Sequence, residues 1–329
     1  MFKFKNRTLN ICLTIMRPLI IVTVLVILFR NLNITVLVNG FSVIQWWTVV
    51  LSLTCSLIGL FFQGVRWWVL IRAFTIKLPF LRSMSVHLSS VFYSLVLPNS
   101  TVQEVIRTVS ITKETGYVIG WSAAWVNKII GVVVAFGISG IGLLISPAIK
   151  IPAIVNQIVF FLFFFMSVAL VLSFSKKISR PIRTIISKFF PSLSLSWFEK
   201  FREGIYQFRN RKKMLLLSLL VTIVTQFFML GGVSFLLFGI TGKAYFAEVM
   251  AFIPLIEMVS MAQPFTPGGI GIREALVAVM FQHLGLSNEQ LAIYVVTSNI
   301  QILLKLVGVV PVLYGMIKKK RLDSFVQKE

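Results

Sequence analysis

Two stretches set charge beside proline and small residues inside otherwise apolar sequence. The first reads SLVLPNSTVQEVIRT, from Ser94 to Thr108; the second reads QPFTPGGIGIREALV, from Gln263 to Val277. Each has a proline (Pro98, Pro267), then a small or polar turn, then a carboxylate (Glu104, Glu274) with an arginine close by (Arg107, Arg273). Each is followed by a long apolar run with a lysine near its middle (Lys128, Lys305) and an asparagine nearby (Asn127, Asn299). Glu257 adds a third carboxylate within the apolar run AFIPLIEMVSMAQ. With all groups ionised, Arg107, Lys128, Arg273 and Lys305 outnumber Glu104, Glu257 and Glu274 by one. Proline and glycine stop one helix and start another, and a helix start offers free N–H groups that attract anions. Gly268, Gly269 and Gly271 would let backbone approach a ligand closely. Such a set suits a phosphate group. The same charges could instead pair internally and pin the two segments, but pairing alone leaves the repeated layout unexplained. His87 and His283 are single and read as satisfied or interfacial residues rather than proton relays. No metal cluster, nucleophile triad or P-loop is visible, so no cofactor is expected. GGIGIRE lacks the preceding strand that a dinucleotide fingerprint requires.

These residues need elements to hold them, and composition says which. Of the 329 residues 57% are hydrophobic and only 13% charged, against about 25% charged in soluble domains. Mean hydropathy is +0.91. The run MLLLSLLVTIVTQFFMLGGVSFLLFGI, from Met214 to Ile240, is long enough for a hydrocarbon core of about 30 Å. The chain is an all-α polytopic membrane protein. Its net charge of +22 reflects the bias of basic residues to one membrane face, not nucleic-acid binding. Cys12 and Cys55 sit in or beside apolar segments and read as ordinary small residues. The first apolar segment is long and lacks a small-residue cleavage site, so no removable signal is expected.

About six full spans are expected, near 11–30, 43–65, 117–145, 151–174, 214–239 and 289–317. Two further segments, about 83–111 and 246–286, are broken. Lys3, Lys5, Arg7 and Arg17 precede or open the first span; Arg66, Arg72, Lys77 and Arg82 follow the second. The 175–213 loop carries eleven basic residues, and the tail has Lys318, Lys319, Lys320 and Arg321. The opposite loops hold little beyond Arg30, Lys150 and Lys243. Both termini and the 175–213 loop are therefore expected in the cytoplasm. The first broken segment must then enter and leave on one side, as a re-entrant hairpin. The second fits the same orientation either as a hairpin from outside or as two crossings; its return arm, Ile272 to Leu284, is short for a span and favours the hairpin. The hairpins open to opposite sides, which makes an inverted-topology repeat of about 43–145 and 214–317. Broken helices in matching halves of such a repeat point to a midplane transport site. Trp46, Trp47, Trp67, Trp68 and Trp121 read as an interfacial belt. Within 175–213, one apolar stripe runs from Ile178 to Phe189; Trp197, Phe201, Ile205 and Phe208 form another. Both predict helices lying on the cytoplasmic leaflet.

The hairpin PFTPGGIGIREALVAVMFQHLGLSNEQ, the earlier LPNSTVQEVIRT and the lysine-bearing spans resemble the lysylphosphatidylglycerol synthase transmembrane-region family, also called flippase-like. Pro267 to Ala275 carries the most specific part of the likeness. In the two-domain members this membrane part flips an aminoacylated phospholipid, and a separate soluble domain makes it. The present chain ends at Glu329 with no such domain, so synthase chemistry is not expected. It also has Asn99, Ser100 and Thr101 where the family is Gly-rich, and Asn127 with Lys128 where an acid with Arg is common. The resemblance implies a flippase-like transporter of a phospholipid or lipid-linked headgroup, aminoacylated or glycosylated, in a prokaryotic cell membrane. Its expected partners are anionic or modified phospholipids, a second copy of the chain or a separate lipid-modifying enzyme. A membrane-embedded transferase using Glu104 or Glu274 on a lipid phosphate, or a small-solute exporter, are the alternatives.

Overall fold

A computed structural model describes residues 44–74, 78–96, 102–146, 153–174, 195–262 and 271–314. These are almost all helical, joined by short turns, with no strand among them. The long helices are α1 (Trp46–Arg72), α5 (Tyr117–Ile145), α6 (Ala153–Ser173), α8 (Lys212–Thr241) and α11 (Asn288–Leu303). A 3-10 stretch, Leu304–Gly308, extends α11, and the helical run continues to Tyr314. Shorter helices are α2 (Phe80–Val96), α3 (Val102–Ser110), α4 (Thr112–Thr115), α7 (Leu195–Gln207), α9 (Phe246–Ala262) and α10 (Ile272–Gln282). Four runs among the described residues are long and apolar enough to cross a membrane: Trp46–Arg72, Tyr117–Ile145, Lys212–Thr241 and Asn288–Tyr314. The span expected near 11–30 lies outside the described residues.

Lipid gives apolar helices no hydrophobic reason to associate, so close packing and hydrogen bonds must do it. The α1–α8 pair shows how. Thr48 abuts Gly239, the Ser52 hydroxyl donates to the Gly232 carbonyl at 2.6 Å, and Arg66 Nη1 reaches Thr222 Oγ1 at 3.4 Å. Rising numbers on one helix meet falling numbers on the other, so the two run antiparallel. Outward, Leu216, Leu220 and Phe227 of α8 and Phe161, Phe164 and Phe165 of α6 are exposed, as lipid-facing side chains must be.

The α5–α9 contact is tighter still. A Cβ on Gly142 would run into the backbone of Met250 and Ala251, and the Ser139 hydroxyl donates to the Ala251 carbonyl at 2.6 Å. Pro254 lies within α9 and cannot donate a backbone hydrogen bond one turn back. At the other side, Gly308 meets the Leu88 carbonyl of α2 equally closely. Gly142→Ala should cost about 1–3 kcal/mol, because here backbone, not a yielding side chain, blocks the methyl. Gly231→Ala, with open space around it, is the control. Thermal unfolding in detergent should separate the two; equal melting temperatures would refute the close α5–α9 approach.

The broken segments become helix pairs. The first arms, α2 and α9, have 17 residues each, about 25 Å. The second arms, α3 with 9 and α10 with 11, fall short of the roughly 20 needed to span. The connecting residues 97–101 and 263–270, which include Pro98, Pro267, Gly268 and Gly269, lie outside the described residues.

Three expectations change. Arg66 and Arg72, read as loop charges after a span ending near 65, belong to α1 itself. Trp67 is not an interfacial anchor; it is fully buried. The stripe on α7 faces protein rather than a leaflet. Ile205 and the following Phe208 are buried with Trp67, Leu70 and Ala123, and the Ser122 hydroxyl donates to the Phe201 carbonyl at 2.9 Å. The stripe from Ile178 to Phe189, and the side chain of Trp197, lie outside the described residues.

Candidate functional site

A cavity of about 200 Å³ lies where α1, α3, α5, α8, α9, α10 and α11 converge. At roughly 10–15 Å³ per water-sized occupant, that volume holds on the order of ten waters, enough for a polar headgroup. Glu104, Arg107, Asn127, Lys128, Glu257 and Arg273 all line it. Residues more than 160 positions apart in sequence, such as Glu104 and Arg273, thus share one space.

On one side stands Arg107, 2% exposed. At i, i+3 on α3 it shares a face with Glu104, and its Nη2 donates to the Glu104 carboxylate. Asn127 Nδ2 donates to the other oxygen of that carboxylate at 3.2 Å. The guanidinium also lies over the Trp67 ring, 4.3 Å from its centroid. His87 completes the cage. Its Nε2 is 3.1 Å from the Leu60 carbonyl, which can only accept, so Nε2 carries the proton. Nδ1 is then the acceptor for Arg107 Nη1 at 3.4 Å. The imidazole is a neutral positioning group, in keeping with its reading as a satisfied histidine. His283, beyond the end of α10, is exposed.

On the facing side Arg273 Nε is 3.5 Å from Glu257 Oε1, an ion pair without hydrogen-bond alignment. Lys128 is exposed at the cavity and hydrogen-bonds the Met261 sulfur at 3.5 Å. It makes no ion pair with a described carboxylate.

Three residues expected at the site stand elsewhere. Glu274 is buried and does not line the cavity; its carboxylate accepts the Gly271 N–H and caps α10. Gly271 itself has φ 91°, a conformation that favours glycine. Asn299 does not line the cavity, whereas Gln301 on the same helix does. Lys305, half-buried on the 3-10 stretch, is outside the lining but within electrostatic reach of Glu257 and Arg273.

Sequence reasoning missed Arg66 as a site residue. It lines the cavity with Gln63 from the same helix, and its one hydrogen bond among the described residues is the long one to Thr222. Gln103 and Gln226 were also missed. The lining therefore holds Arg66, Arg107, Lys128 and Arg273 against Glu104 and Glu257, a surplus of two positive charges when all are ionised. Adding Lys305 and Glu274 leaves that surplus unchanged. Only ten acids exist in the chain, and the two outside the described residues, Asp323 and Glu329, are in the C-terminal tail. Among the described residues no three His, Cys, Asp or Glu side chains are grouped to hold a metal.

A family model for the lysylphosphatidylglycerol synthase TM region matches residues 14–308. No curated protein matches the chain, and no solved structure does. The match takes in both helix pairs and every residue that lines the cavity, so the chain belongs to the lysylphosphatidylglycerol synthase TM region family.

Proposed function

We propose that the protein is a flippase-like transporter that moves a phospholipid or lipid-linked headgroup between leaflets. The observation that carries this reading is the surplus of cations around a cavity to which both helix pairs contribute, through α3 and through α9 and α10. A cation within a span costs about 2.5–3.5 kcal/mol on insertion scales, and a phosphate in the cavity would offset that cost. Residues 43–145 and 214–317 act, in this reading, as an inverted repeat, with α2–α3 and α9–α10 as re-entrant hairpins from opposite sides. The packing supports it: α1 exchanges with α8, α2 with α9, α3 with α10 and α5 with α11, and each contact described between these elements has a counterpart. Rocking of one half against the other would alternate access to the cavity. A transferase has less support. Glu104 is held by Arg107 and Asn127, and Glu274 caps a helix, so neither carboxylate is free to act as a base.

The test is lipid exchange in reconstituted vesicles. Fluorescent phosphatidylglycerol, lysylphosphatidylglycerol and a glycosylated phospholipid would each be followed by bleaching of the outer leaflet. At least one should cross faster than in empty vesicles, and Arg273→Ala should slow it about ten- to a hundredfold, the worth of one charge-assisted phosphate contact. If every lipid crosses at the empty-vesicle rate, the proposal fails.

A further inference from the structure

Resting on that transport reading, we infer that the cavity selects an anionic headgroup bearing hydroxyls, such as a polyol or sugar on a phosphate, and discriminates against an aminoacylated one. Two features of the lining carry this. The first is sign. Glu104 and Glu257 are each committed to an arginine, so Arg66 and Lys128 remain without a carboxylate partner among the described residues. No other carboxylate among the described residues lines the cavity to receive an ammonium group; Glu274, next to Arg273, is buried outside the lining and caps α10. A lysyl ester reverses the sign of a phosphodiester headgroup, so its ammonium groups would join a space that already carries excess positive charge. Like charges placed together without screening water are strongly penalised.

The second feature is the neutral part of the lining. Gln63, Gln103 and Gln226 face the cavity, and none has a side-chain hydrogen bond with a described residue. Each amide can both donate and accept, the complement of a hydroxyl, which does the same. Idle amides beside two unpaired cations match a phosphate that carries hydroxyls.

The test is competition for the purified full chain in nanodiscs. Labelled phosphatidylglycerol would be displaced by unlabelled phosphatidylglycerol, lysylphosphatidylglycerol or soluble glycerol phosphate. Phosphatidylglycerol should compete about tenfold or more better than the lysyl form. Lys128→Glu, at an exposed position that tolerates the change, should shrink or invert that ratio. Equal competition by the two lipids, or a ratio unmoved by Lys128→Glu, overturns the selectivity while leaving transport standing. Soluble glycerol phosphate competing as well as the lipid overturns the lipid as the source of the headgroup. No binding of labelled phosphatidylglycerol overturns the inference. If no lipid crosses in the vesicle assay either, the transport reading falls with it.

Discussion

Arg107→Met is expected to lower the unfolding free energy by about 3–5 kcal/mol, the range for removing one partner of a buried ion pair. Adding Glu104→Gln should recover much of it. The side chain is 2% exposed and joins four elements: Glu104 on its own α3, His87 on α2, the Trp67 ring on α1 and, through Glu104, Asn127 on α5. Without the guanidinium, the Glu104 carboxylate keeps only the Asn127 amide, and His87 Nδ1 loses its donor. A desolvated cation over an indole adds about 2 kcal/mol. Arg107→Lys should not rescue, because an ammonium cannot span carboxylate, imidazole and ring with one planar fork. Thermal unfolding of the two single variants and the double would decide it. A double variant no more stable than Arg107→Met would show that the stranded carboxylate is not the source of the loss.

Four of the expected spans were legible because lipid leaves a strong mark: an unbroken run of about 20 apolar residues is seldom anything but a membrane-crossing helix. α5 begins and ends at the expected residues, and α8 within two of them. The end of α1 was missed for a physical reason. The charge bias of loops counts Lys and Arg near span ends, and cannot tell an arginine that leaves the membrane from one that turns inward. Spacing could have told. Ser52, Ser56, Gly59, Gln63 and Arg66 recur at steps of four and three, one continuous face of a helix. On α8, Ser218, Thr222, Thr225, Met229 and Gly232 do the same, and the two faces meet. For α7 the apolar stripe said that one side is covered, but not by what. Ser122 and Gly204, which let α5 and α7 approach closely, decide for protein.

The pairing of site charges was half readable. Arg107 and Glu104, three apart on a helix, share a face. Arg273 and Glu274 are adjacent, so they point about 100° apart on a helix with 3.6 residues per turn. One therefore turns to the cavity and Glu257, while the other reaches back to Gly271. Asn299 and Gln301, two positions apart, point about 200° apart by the same geometry. Contacts between helices distant in sequence, such as Lys128 with Met261, have no sequence signature at all, since they depend on how α5 crosses α9.

Arg66→Gln should separate binding from stability. Melting should shift by the equivalent of no more than about 1 kcal/mol, the net worth of one ordinary hydrogen bond, while affinity for an anionic phospholipid should fall about ten- to a hundredfold. The contrast with Arg107 comes from the partners. Among the described residues Arg66 has a single hydrogen bond, 3.4 Å to Thr222 Oγ1; its Nε is buried without a partner, and it lies within electrostatic reach of the like-charged Arg107. Removing it breaks no ion pair, and it ends a repulsion from Arg107 together with a smaller attraction to Glu104. A residue that contributes so little to the fold, yet is a cation within a helix long and apolar enough to cross a membrane, is costly to keep unless something anionic arrives to meet it. Glutamine keeps a polar amide but ends two bonds short of the guanidinium nitrogen that reaches Thr222, so that long bond is lost with the charge; its small net worth leaves a lost phosphate contact as the larger change. Lipid binding in nanodiscs beside thermal unfolding in the same preparation is the measurement. Unaltered binding with a large drop in melting temperature would make Arg66 a structural residue and remove half of the cation surplus on which the transport reading rests.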